Sequence, residues 1–118
     1  MICPKCKDPL QPVTVAEVEV DRCTGCEGIW FDRSELGELL RQQSRQTQVL
    51  QRGQDSERLD VLPGACPRDS KPLKRTRATY KAEIMVDFCR ECCGIWLDAG
   101  EFTKLKQANP DAPLSGLA

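Results

Sequence analysis

The chain carries one cysteine pattern twice. Cys3-Pro4-Lys5-Cys6 is followed, after sixteen residues, by Cys23-Thr24-Gly25-Cys26. Cys66-Pro67-Arg68-Asp69 is followed, after nineteen, by Cys89-Arg90-Glu91-Cys92. Each copy then runs into one signature: Gly28-Ile29-Trp30-Phe31-Asp32 with Glu35-Leu36, and Gly94-Ile95-Trp96-Leu97-Asp98 with Glu101-Phe102. Two Cys-x-x-Cys pairs separated by about 15–20 residues match the ligand spacing of a zinc site. Meeting the pattern twice in 118 residues points to a duplicated unit.

Size explains why a metal is needed. A repeat of roughly 45 residues cannot bury enough apolar surface to offset its chain entropy and needs a staple. Zinc contributes roughly 10–16 kcal/mol of apparent binding energy in small finger peptides, much of it folding energy. The chain has only two Trp, one Tyr and three Phe, which favours metal-held units over a large apolar core. Disulfides are the alternative for eight cysteines and require an oxidising compartment. Met1 runs directly into Ile2-Cys3-Pro4 without an apolar leader, so a reduced, cytoplasmic protein is expected, with no membrane partner.

The first site is expected at Cys3, Cys6, Cys23 and Cys26. Four thiolates saturate a tetrahedral ion, leave no position for water, and make a structural site. A dithiol redox pair is the competing reading, but Pro4 and the following Lys-Asp-Pro suggest a metal knuckle instead. The second site departs from the first, because Asp69 stands where Cys6 stands. Cys66, Asp69, Cys89 and Cys92 can still close a tetrahedron, with a harder and shorter fourth donor and lower affinity. Cys93 is the alternative ligand, and an empty or water-completed fourth position is a third arrangement. Two Zn2+ per chain are expected, although four-thiolate sites also accept iron.

With no histidine, the chain excludes Cys2His2 fingers, His-ligated catalytic zinc and His-dependent nucleophiles of its own. Formal net charge is −1 and falls to about −4 once zinc has deprotonated its ligands. Global charge therefore does not steer the chain to nucleic acid. A local basic stretch could: Arg68, Lys71, Lys74, Arg75, Arg77 and Lys81. A solvated charged face is the plainer reading, and the corresponding hairpin of the first repeat is acidic, with Glu17, Glu19 and Asp21. These opposite hairpins could attract one another or a second copy.

The expected fold is small, metal-stabilised α+β: two tandem units, each a short antiparallel hairpin followed by a helix. Residues 13–20 alternate β-branched and polar on either side of Ala16-Glu17, the pattern of a hairpin with one buried face. Lys74 to Thr79 and Ile84 to Phe88 are the matching strands, with the extra residues in the turn around 80–83. Asp32 and Asp98 are placed as helix N-caps, with Glu35 and Glu101 three residues on. Leu36, Leu39 and Leu40 line one helix, and Phe102 and Leu105 the other, which ends near Asn109-Pro110. The indoles of Trp30 and Trp96 are expected to pack beside their own knuckles, with base or peptide stacking as the alternative. The units span 1–44 and 64–109. A Gln/Arg-rich helix extension or linker covers 45–63, and a Pro/Ala/Gly/Ser-rich disordered tail covers 110–118.

Together these motifs resemble the TFIIB-type zinc-ribbon family of small, mostly prokaryotic proteins, over residues 3–36 and again 66–102. The resemblance implies a zinc-stabilised ribbon in each repeat. It marks Cys3, Cys6, Cys23, Cys26, Cys66, Cys89 and Cys92 as ligands, with Asp69 at the usual fourth cysteine. Glu27 and Cys93 fall where such proteins often carry Gly. A non-catalytic zinc module mediating protein interaction or self-association is the expected function. The alternatives are a nucleic-acid-binding, transcription-related protein and a thiol- or metal-handling protein using an open second site or Cys93. A chelator titration is expected to remove two zinc ions in sequence, the Asp69-containing site first. Simultaneous loss would show that the sites are equal.

Overall fold

The computed structural model describes residues 1–41, 49–50, 64–77 and 85–108. They form a small α+β chain with one antiparallel sheet and two helices. The chain order is β1 (Leu10–Val15), β2 (Val18–Cys23), β3 (Ile29–Phe31), α1 (Glu35–Arg41), β4 (Lys74–Arg77), β5 (Met85–Phe88), β6 (Ile95–Leu97) and α2 (Glu101–Ala108).

The hairpin read from residues 13–20 is β1–β2, with Val13 opposite Val20 and Val15 opposite Val18. Its two-residue turn places Ala16 and Glu17 at φ 48° and 69°. Both central residues at positive φ match the right-handed strand twist. The second hairpin pairs Lys74 with Phe88 and Arg77 with Met85. The turn expected around 80–83 lies outside the described residues, as do most of 45–63 and the tail 110–118.

Each repeat adds a third strand that the sequence reading did not assign. Ile29–Phe31 and Ile95–Leu97 are three-residue, fully buried strands. They pair antiparallel with one another: Ile29 with Leu97, Trp30 with Trp96, Phe31 with Ile95. Trp30 and Trp96 are equivalent residues, so their pairing lies on an internal two-fold axis. The two repeats thereby share one six-stranded sheet, ordered β1-β2-β3-β6-β5-β4.

Successive side chains of a strand point to opposite faces. On one face, Val15, Val18, Val20, Ile29, Phe31, Val86, Ile95 and Leu97 form a single buried cluster with the helix residues Leu36, Leu39, Leu40, Phe102 and Leu105. The cluster crosses the axis: the Phe31 ring of the first half stacks on Phe102 of the second, centroids 6.1 Å apart. On the opposite face, Trp30 and Trp96 are buried with Cys3, Cys23, Cys66 and Cys89. The apolar core that neither repeat can build alone is built jointly.

The helix starts differ from the expected capping box. The first helical backbone bonds run to Ser34 and Gly100, from Glu38 and Lys104. Ser34 and Gly100 sit at φ 74° and 89°, so the chain turns once more after each Asp before the helix begins. Half of the box survives, as Glu35 and Glu101 accept from the backbone N–H of Asp32 and Asp98 at 2.7 Å. The Asp carboxylates turn instead to the indoles, accepting from Trp30 and Trp96 Nε1 at 3.0 Å.

The repeated Gly-Ile-Trp now has a steric reason. A Cβ on Gly28 would lie 2.2 Å from Cζ2 of Trp96, and one on Gly94 would lie 2.1 Å from Cζ2 of Trp30. Each indole therefore packs against the other repeat's glycine, reaching beyond its own knuckle. Gly94→Ala is expected to destabilise the zinc-loaded chain by about 1–3 kcal/mol, the usual cost of overpacking, in chemical denaturation. Unchanged stability would show that the indole is not confined there.

Candidate metal centres

Four knuckles are built alike. In the first, Cys3 N–H donates to Asp8 O at 2.8 Å, and Cys66 N–H to Lys71 O at 2.7 Å in its counterpart. Cys23 and Cys89 N–H donate to Gly28 and Gly94 O at 2.8 and 2.9 Å. The residue after each second ligand position is left-handed: Lys7, Glu27, Ser70 and Cys93 have φ between 64° and 70°. That conformation favours glycine and costs a side-chain-bearing residue roughly 1 kcal/mol or more. Cys93 occupies this turn position and is exposed.

The knuckles bring two groups together, Cys3, Cys6, Cys23 and Cys26, and Cys66, Asp69, Cys89 and Cys92, with all ligand atoms of a group within 4.8 Å of one another. Sulfur–sulfur distances are 3.7 Å for Cys3–Cys26, 3.3 Å for Cys6–Cys23 and 3.6 Å for Cys66–Cys92. A disulfide would need about 2.05 Å. Zinc–sulfur bonds of about 2.3 Å give a tetrahedral edge of about 3.8 Å, close to the spacing found. Asp69 Oδ2 lies 3.3 Å from Cys89 Sγ, against about 3.6 Å for an oxygen–sulfur edge. Both donor sets fit one Zn2+ each.

Backbone amides already point at the sulfurs. Lys5 and Cys6 N–H donate to Cys3 Sγ at 3.4 Å, Gly25 and Cys26 N–H to Cys23 Sγ at 3.3 and 3.4 Å, and Arg68 N–H to Cys66 Sγ at 3.4 Å. Such bonds favour the thiolate and orient it for a cation. The protein alone does not make four thiolates stable at once. The Cys26 hydrogen bond lowers the Cys3 thiol to about 5, while that same bond pushes Cys26 far above its ordinary value. Burial pushes Cys6 up to about 11 and Cys66 up to about 12, and raises Cys92. Asp69 is held below the ordinary carboxylate range, first by the Lys71 N–H at 3.0 Å. A dication supplies the missing charge balance.

Between the clusters lies a pair of crossed ion contacts. Lys5 and Arg68 occupy the same position in the two Cys-Pro knuckles. Lys5 Nζ reaches Asp87 Oδ2 at 3.1 Å and Asp98 Oδ2 at 3.6 Å, both in the second repeat. Arg68 Nε and Nη2 grip Asp32 Oδ1 and Oδ2 at 2.5 Å, and Nη2 lies 4.0 Å from Asp21 Oδ2, both in the first. Asp21 and Asp87 sit opposite Trp30 and Trp96 in the sheet, so the four carboxylates are equivalent in pairs. The Arg68 hydrogen bond holds Asp32 below its ordinary pKa, whereas burial raises Asp21. Sequence alone hides these contacts, because each partner lies in the other repeat.

Of the remaining basic residues, Lys74, Arg75 and Arg77 lie on β4 at one edge of the sheet, and Lys71 precedes them in the knuckle. Lys71 contacts Glu91 at 3.6 Å, and Arg75 contacts Asp87 at 3.7 Å. Lys74 is exposed on β4, Arg77 closes that strand, and Lys81 lies outside the described residues.

Fold and donor sets together define a zinc-binding protein with two tandem metal sites. The chain belongs to the transcription factor zinc-finger family, whose model matches residues 2–42 and again 65–108. Neither the curated proteins nor the solved structures gave a match.

Zinc uptake must expel the protons held on the raised thiols, at least two per site (Cys6 and Cys26, Cys66 and Cys92). These thiols stay protonated below about 11 and about 12 for Cys6 and Cys66, so affinity falls as pH falls. Chelator competition between pH 8 and 6 is expected to show a loss of at least about 100-fold per pH unit at each site, two or more protons each. A loss of tenfold or less per unit would contradict these protonation states.

Proposed function

We propose that this chain is a non-catalytic zinc module that binds a protein partner, or a second copy of itself, with each half a zinc ribbon carrying its own helix. The observation that carries this reading is the closure of the metal-bearing face. Site one offers four thiolates and no fifth position, and its sulfurs are turned into the knuckles by backbone amides. The cations nearest the metal sites, Lys5 and Arg68, are spent on carboxylates of the other repeat. The two hairpins differ in the charge they present: acidic Glu17 and Glu19 on one, basic Lys74 and Arg75 on the other. Such a division suits electrostatic choice of a protein partner.

Nucleic-acid binding, in keeping with the family's description, is the second reading, supported by the exposed residues of β4. It is weakened by the ion pairs of Arg68, Lys71 and Arg75, since each must give up a carboxylate to meet a phosphate.

Sedimentation and photo-crosslinking from positions 17 and 74 of the zinc-loaded chain distinguish these readings. A concentration-dependent dimer, or a defined protein adduct lost on chelation, is the expected outcome, with no DNA or RNA binding at low salt. Nucleic-acid binding whose log affinity falls against log salt with a slope of about −3 or steeper would move the function to the second reading.

A further inference from the structure

The metal knuckles of the two repeats share one backbone design and differ in two side-chain features that bear on the metal, both on one side of the axis. At site one, all four donors are sulfur and the knuckle's cation, Lys5, is sealed in, with 0% side-chain exposure. At site two, one donor is the exposed carboxylate Asp69, and the knuckle's cation, Arg68, is 47% exposed. Arg68 lies between two ligands of site two, Cys66 and Asp69, and its own N–H donates to Cys66 Sγ. Its guanidinium nevertheless ends in the first repeat, on the carboxylate that also accepts the Trp30 indole N–H. The backbone N–H of that same Asp32 is held by Glu35 at the start of α1.

We propose that site two is an exchangeable zinc site whose occupancy is transmitted to the first repeat through the Arg68–Asp32 ion pair, while site one and Lys5 form the permanent half. The logic is mutual restraint. Ordering the Cys66–Asp69 knuckle around a cation fixes the root of the Arg68 side chain and holds its planar fork on Asp32. A fork already held on Asp32 in turn preorganises the knuckle for the cation. Coupling of this kind is reciprocal, so whatever zinc does to the ion pair, the ion pair does to zinc affinity. The partner readout lies at the Trp30–Asp32–Glu35 cluster, where a strand of the seam passes into α1. This inference concerns the metal and stands whichever partner the module binds.

The test turns on Asp32, whose carboxylate meets Arg68 and the Trp30 indole. Asp32→Asn, Arg68→Gln and the double variant are prepared as full chains. Cadmium-113 NMR separates the four-sulfur from the three-sulfur site, and chelator competition gives the zinc affinity of each. Asp32→Asn is expected to weaken site two by about fivefold, the lower end of site–site couplings, and to leave site one unchanged. The double variant is expected to bind no more weakly than Arg68→Gln alone, because both substitutions break one interaction. Unchanged site-two affinity in Asp32→Asn, an equal loss at both sites, or losses that multiply in the double variant would each overturn the proposal. If Asp32→Asn does not fold, Asp21→Asn takes its place, since its carboxylate meets Arg68 from the next strand. A loss of about twofold confined to site two then supports the coupling, as a longer ion pair should give, and no loss overturns it.

Discussion

The structure depends on three residue pairs. Where Ile29, Trp30 and Phe31 meet Leu97, Trp96 and Ile95, two hairpins that would each be marginal become one sheet. Both faces of that seam are occupied. Ile29, Phe31, Ile95 and Leu97 feed the core beneath the helices, while the two indoles fill the metal side. Each full burial of a Leu, Ile or Phe side chain contributes about 1.5–3 kcal/mol, so a joint core changes the energetics of units this small. The seam also fixes distances: the other repeat's carboxylates come within reach of Lys5 and Arg68 only because the central strands are paired in this register. A one-residue slip between these two strands would put the indoles on opposite faces of the sheet and dismantle the cross-axis contacts together.

Metal and core therefore divide the work by face. The helix side is dominated by apolar contact, with Arg22 reaching the Val49 carbonyl at its margin. The other side carries thiolates, carboxylates and the cations Lys5, Arg68 and Arg75, a set that cannot be desolvated stably without charge pairing. Zinc pairs the thiolates, and Lys5 and Arg68 pair the carboxylates. Lys5 is the extreme case: a fully buried ammonium between Asp87 and Asp98. Such a group gains little net stability over an apolar residue and strongly penalises any arrangement that separates it from its partners. Its contribution is to specify how the halves meet.

Much of this was legible in the chain because it is local. The donor positions follow from cysteine spacing, the first hairpin from the alternation around Ala16-Glu17, and the helix faces from Leu36, Leu39, Leu40, Phe102 and Leu105. What escaped is non-local or lacks a period. Three consecutive buried residues show neither alternation nor a helical stripe, so Ile29–Phe31 and Ile95–Leu97 gave no strand signal. Asp32 and Asp98 have the spacing of helix caps, but the indole two residues earlier and the cation from the other repeat compete for the same oxygens. The duplication of Gly-Ile-Trp was a usable clue. A glycine two residues before a tryptophan, twice, marks a backbone that a ring must cross, and the sequence alone does not say whose ring.

The outer strands complete the argument. An isolated repeat would expose Ile29-Trp30-Phe31 as an unpaired, wholly apolar edge, the kind of strand that recruits another chain. Duplication within one polypeptide consumes that edge internally, and the linker keeps the effective concentration of the partner strand high. The edges that remain are of another composition. β1 carries Pro12, which offers no N–H to an incoming strand, and β4 reads Lys-Arg-Thr-Arg. The basic run in the second repeat thus has a role that requires no ligand, in blunting the sheet edge nearest a hairpin whose partner strand is short.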